Sequence, residues 1–110
     1  MTPDTWDTIG RLVAWLDSNS TVSPEAEIVM RTVAKLSEEV GEVAQAVIGV
    51  LGQNPRKGIT HTWDDVDAEL CDVIMTAMVA LRTRRPDAGE VFAKRLAYVA
   101  ERSLPTDQTA

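Results

Sequence analysis

The chain has 110 residues, 45% hydrophobic and 25% charged, with 17 acidic against 11 basic side chains and a net charge of −6. That length makes one domain. The acidic balance argues against nucleic-acid binding, which needs Lys and Arg to neutralise phosphates, and against an anionic membrane surface. A single cysteine, Cys71, leaves no intrachain disulfide and fits a reducing, cytoplasmic setting. No apolar run approaches a membrane span, and Asp4 and Asp7 precede the first basic residue, Arg11, unlike a signal peptide.

Aromatic residues are scarce, so Val, Leu, Ile, Ala and Met must fill the core. Their spacing in Ala- and Glu-rich runs predicts an all-α fold of four helices. The first spans Pro3 to Asp17, with Thr2 as cap, Pro3 at its first position and a stripe of Trp6, Ile9, Val13 and Leu16. The second and longest spans about Pro24 to Leu51, capped by Ser23. Leu36, Val40, Val43 and Val47 turn inward, and Gly49 and Gly52 mark its fraying end. The segment from Gly52 to His61 reads as a loop.

Thr62 and Asp65 form a capping-box pattern at the start of the third helix. From Trp63 it buries Val66, Leu70, Val73, Ile74, Ala77, Met78 and Leu81, and it ends in Arg82, Arg84 and Arg85. Cys71 reads as a buried core thiol. Pro86 opens the fourth helix, which runs to about Arg102. Residues 1–104 form the domain, and 105–110 a disordered tail.

Two acidic clusters stand out. Glu38, Glu39 and Glu42 fall within an arc of about 100° on the second helix, and Glu69 and Asp72 form an i, i+3 pair on the third. Both clusters adjoin apolar faces, so some carboxylates point along the groove between the helices. Like charges so placed repel, and a cation would remove the conflict. Magnesium, which takes hard oxygen ligands and shares them with water and phosphate, suits such a cradle. Gly41, in the helix interior, is compatible with close packing there. A solvated acidic face is the competing reading.

The pattern EEVGE (Glu38–Glu42), a 26-residue spacer (43–68) and ELCD (Glu69–Asp72) resembles the EExxE…ExxD signature of the MazG-like nucleotide pyrophosphohydrolases. The resemblance extends from Ala34 to Leu81. It implies a four-helix MazG-like bundle, completed by oligomerisation into a homodimer or homotetramer. It also implies hydrolysis of nucleoside triphosphates to monophosphate and pyrophosphate, with Mg²⁺, or Mn²⁺, held by Glu39, Glu42, Glu69 and Asp72. Glu38 would orient or deprotonate the attacking water. Lys94 in the last helix, with Arg95 and Arg102 behind it, would meet the triphosphate, although Phe92 stands where the family's stricter form has asparagine. Lys35, one turn before the carboxylates, is a further candidate cation. Trp63 and His61, where loop meets helix, are candidates for the base. Two alternatives stay open: a phosphoribosyl-ATP pyrophosphohydrolase, and a helical binding module of the same fold without turnover.

Overall fold

The structure is a computed structural model that describes residues 3–105; the Thr2 cap and the tail from Thr106 lie outside them. The described residues contain helices and turns and no strand. Helix α1 is Pro3–Ser18, α2 is Pro24–Val29, α3 is Lys35–Leu51, α4 is Trp63–Arg84 and α5 is Ala88–Ser103. No described helix is long and apolar enough to cross a membrane.

Helix starts follow local capping chemistry. Ser23 Oγ accepts from Ala26 N at 3.2 Å, ahead of Pro24 and the acidic Glu25 and Glu27. At the start of α4, Asp65 N donates to Thr62 Oγ1 and Thr62 N donates to Asp65 Oδ2, so the capping box is complete with Asp in the acidic position. The bond from Thr62 N holds the Asp65 carboxyl below the usual aspartate range. Gly52 ends α3 in the left-handed conformation, φ 61°, where glycine carries no steric penalty. The last helix begins at Ala88, two residues after Pro86. The turn before it is held by Arg85, whose Nε and Nη2 donate to the two Asp87 oxygens at 2.9 and 2.8 Å.

The predicted second helix is helical over its whole range but not α-helical throughout. Between α2 and α3 the backbone makes a π-helical turn over Met30–Ala34, with Lys35 N donating to Met30 O. Arg31 lies in this turn and is buried. Its Nη1 donates to Asp17 Oδ1 at 2.8 Å and Thr83 Oγ1 at 3.0 Å, and its Nε meets Glu27 Oε2 at 3.0 Å. One guanidinium thus joins the end of α1, helix α2 and the end of α4. Seven residues make about two turns of α-helix, so an unbroken helix would set Arg31 in phase with Glu38. The π turn adds one residue to the repeat and sets it in phase with Glu39 instead. The Glu39 side chain is 13% exposed and that of Glu38 57%.

Helices α3 and α4 pack along their lengths, and α1 lies across α4 with Ile9, Val13 and Met78 as its buried centre. Trp6 anchors α5: a Cβ on Gly89 would lie 3.2 Å from its ring, and its ring centroid is 6.3 Å from that of Phe92. Much of the predicted core is nevertheless open. Val40 is 52% exposed, and Leu70, Ile74, Ala77 and Cys71 are exposed as well. The radius of gyration is 17.7 Å, against about 13 Å for a compact chain of this length. The apolar stripes predicted on α3 and α4 are real, but this chain alone does not cover them. Gly41 is in open space: a Cβ there would meet nothing within 4 Å, so crowding within the chain does not explain the glycine.

Two substitutions test this architecture. Arg31→Ala removes the shared partner of Asp17 and Glu27 and should lower the unfolding free energy by about 3 kcal/mol, read from the urea midpoint. Gly41→Ala should stabilise an isolated chain by up to about 1 kcal/mol. A loss of stability there would mean that another surface packs against Gly41.

Candidate functional site

Antiparallel packing of α3 on α4 brings the two acidic clusters into one. Carboxylate oxygens of Glu38, Glu39 and Glu42 lie within 4.8 Å of one another, and so do those of Glu39, Glu69 and Asp72. Glu39 belongs to both triads and sits at their junction. The residues named from sequence as metal ligands, and Glu38 beside them, therefore do converge.

The electrostatics of this cluster are unfavourable as it stands. Glu39 Oε2 and Glu69 Oε2 are buried and have no hydrogen-bond partner, a costly state for a carboxylate in low dielectric. Burial holds the Glu39 carboxyl above the usual glutamate range; the Glu42 charge pushes the same way, Lys35 opposes it, and Asp72 adds to the rise. Lys35 is the one cation paired with the cluster among the described residues, with Nζ 3.2 Å from Glu38 Oε1 and 3.7 Å from Glu39 Oε1. Its hydrogen bond to Glu38 holds the ammonium pKa above the usual lysine value. Lys35 touches the outer edge, and the inward oxygens of Glu39 and Glu69 stay unmet. Oxygen donors on two facing helices, two of them buried and unpartnered, fit a hard divalent cation.

Other candidates lie elsewhere. Lys94, Arg95 and Arg102 are exposed on α5, which packs on α1 and α4. The guanidinium carbons of Arg95 and Arg102 sit 4.9 and 5.5 Å from the Tyr98 ring centroid, and Lys94 is close enough to Asp87 to help lower its pKa, after the larger effect of Arg85. No ion pair or hydrogen bond joins these cations to the carboxylates among the described residues. Trp63 is exposed in the first turn of α4. Asp65, one turn before Glu69, is committed to the cap.

His61 is better placed than its neighbour. Its Nδ1 is 2.9 Å from Thr60 Oγ1, and it lines a pocket of about 510 Å³ with Gln45, Asn54 and Lys57. Gly49 forms the floor and is buried within α3, not frayed. A Cβ there would collide with His61 Nδ1 and lie 2.6 Å from Thr60 Oγ1. Apolar periodicity reveals neither this packing nor the buried Arg31. The available signal for the first is a glycine two residues before the last residue of the helix, Leu51. For the second it is an arginine in the midst of an apolar stretch. Comparison with family models, curated proteins and solved structures returns no match.

Ionised Glu39 is disfavoured by folding, so this group's penalty is absent below its ordinary value of 4.5 and complete above its raised folded value. In EDTA, Glu39→Gln should therefore raise the melting temperature at pH 8, and the gain should shrink as pH falls toward that ordinary value. Mg²⁺ should raise the melting temperature of the wild-type chain and leave the variant unmoved. A variant that melts lower than wild type in EDTA at pH 8 would contradict the assignment of Glu39 as an uncompensated buried charge.

Proposed function

We propose that the chain is a magnesium-dependent nucleoside triphosphate pyrophosphohydrolase of the MazG-like type, working as a homo-oligomer. One observation carries the reading. The five carboxylates of the EEVGE and ELCD motifs converge across α3 and α4, with two buried oxygens left without partners. A bound Mg²⁺ would neutralise phosphate charge and lower the pKa of a water molecule. Glu39, Glu42, Glu69 and Asp72 hold the ion in this reading, with Glu39 common to both triads. Glu38 faces solvent at the edge of the cluster, far more open than Glu39. It takes the proton of the attacking water. The water oxygen bonds to phosphorus, the P–O bond of the anhydride breaks, and nucleoside monophosphate and pyrophosphate leave.

The homo-oligomer is supported by the open shape of the chain and the apolar side chains exposed on α1, α3, α4 and α5. It also gives the cations of α5 a role. Within one chain no ion pair or hydrogen bond joins Lys94, Arg95 or Arg102 to the carboxylates among the described residues, and in this reading a second subunit brings such charges to a bound triphosphate, beside Lys35.

The test is pyrophosphate release from a panel of ribo- and deoxyribonucleoside triphosphates, with and without Mg²⁺. Metal-dependent release is expected, and Glu39→Gln and Asp72→Asn should each reduce kcat at least about 100-fold. Lys94→Ala should chiefly raise KM. Absence of release from every nucleotide, with metal binding intact, would favour the non-catalytic module.

A further inference from the structure

The pocket at the end of α3 has a composition unlike the carboxylate site, and it lies on the same stripe. Glu42, Gln45 and Gly49 follow one another at three- and four-residue steps on α3, so the pocket opens one helical turn, about 5 Å, beyond the carboxylates. Its volume of about 510 Å³ is within the range of small-molecule sites.

The pocket is built by backbone constraint. Thr60 N donates to Gly49 O at 2.9 Å, which lays the loop on the helix where glycine leaves room for His61. Lys57 N and Gly58 N both donate to Asn54 O, at 3.1 and 2.9 Å, and Gly58 turns the chain with φ 69°. Around this frame stand three side-chain amides, Gln45, Gln53 and Asn54. The amides of Gln45 and Gln53 have no hydrogen-bond partner among the described residues. Asn54 uses Oδ1 to accept from Arg56 N at 3.0 Å, leaving its NH₂ to donate elsewhere. The Thr60 contact engages His61 Nδ1, and Nε2 has no hydrogen-bond partner among the described residues.

Gln45 and Gln53 each offer donors and an acceptor side by side, the complement of the mixed edge of a nucleobase, and Asn54 adds donors. A phosphate would call for cations, and Lys57 is the one lysine or arginine in the pocket lining. We infer that this pocket reads the hydrogen-bonding edge of a nucleobase, through Gln45, Gln53 and Asn54 with His61 against it, while the phosphates extend along α3 toward Glu42. The direction of the bound nucleotide rests on the proposed function; the base-reading chemistry of the pocket does not. Trp63, outside the lining, takes no part in it.

His61 is the only histidine, so its imidazole C2–H resonance reports the pocket without assuming catalysis. Free nucleosides, lacking phosphate, should be titrated in metal-free buffer, with pyrophosphate as a separate probe. Saturable movement of the His61 resonance by a subset of the nucleosides is expected, weakened about tenfold or more in Gln45→Ala and Gln53→Ala. Both residues are exposed, so the fold should survive. If no nucleoside moves the resonance, or pyrophosphate alone does, the base-reading assignment is overturned. Nucleoside binding without metal-dependent pyrophosphate release would keep the pocket and sink the hydrolase. Release whose KM is unchanged for every base in the Gln45→Ala, Gln53→Ala double variant would do the reverse.

Discussion

The Arg31 guanidinium sets the geometry on which the candidate site depends. A buried cation needs partners with good geometry, and this one finds them on three elements: Asp17, Glu27 and Thr83. Meeting all three holds Arg31 inward on a helix that must, eight residues later, present a carboxylate to α4. A regular α-helix would bring Glu38 to that face. The π turn at Met30–Ala34 shifts the phase by one residue, and Glu39 arrives instead. The local backbone irregularity and the buried acid are thus two parts of one constraint. Thr32 Oγ1, bonded to Ile28 O at 2.6 Å, adds a side-chain competitor for the helix carbonyls at the same place.

Most of the helix boundaries are legible in the sequence because capping is local chemistry. The residues that decide a boundary, such as Ser23 before Pro24 or Thr62 with Asp65, lie within a few positions of one another. The convergence of Glu38, Glu39 and Glu42 with Glu69 and Asp72 is legible for a related reason: spacing within each helix fixes a face, and two short motifs fix two faces. The π turn is not legible. A phase change of one residue leaves the apolar pattern on either side intact, and one of its causes, Thr83, lies 52 positions from Arg31 in sequence. Gly49 misleads because a glycine near a helix end usually marks fraying, whereas the residues that pack on it come from the loop more than ten residues on.

The open Val40, Leu70 and Ile74 mark a different limit. Periodicity identifies an apolar face but says nothing of what covers it. Gly41, Val40 and Cys71 share this character: each fits a packed environment, and each is open in a single chain. The Arg31 network and the Ile9–Val13–Met78 centre still hold α1, α2 and α4 together without that cover.

An open, flattened chain also bears on how a charged site can work. In water the Coulomb repulsion among close carboxylates is weak, and it strengthens steeply as dielectric falls. Glu39 and Glu69 each keep one oxygen buried while Glu38 faces solvent beside Lys35, so the cluster is graded from inside to outside. The inner oxygens carry the demand for a cation, and the outer carboxylate keeps access to water. That division suits the metal-dependent hydrolysis proposed above, in which the inner oxygens would hold the ion and the outer carboxylate would exchange protons with solvent, and it comes from the one-residue phase shift that separates Glu38 from Glu39.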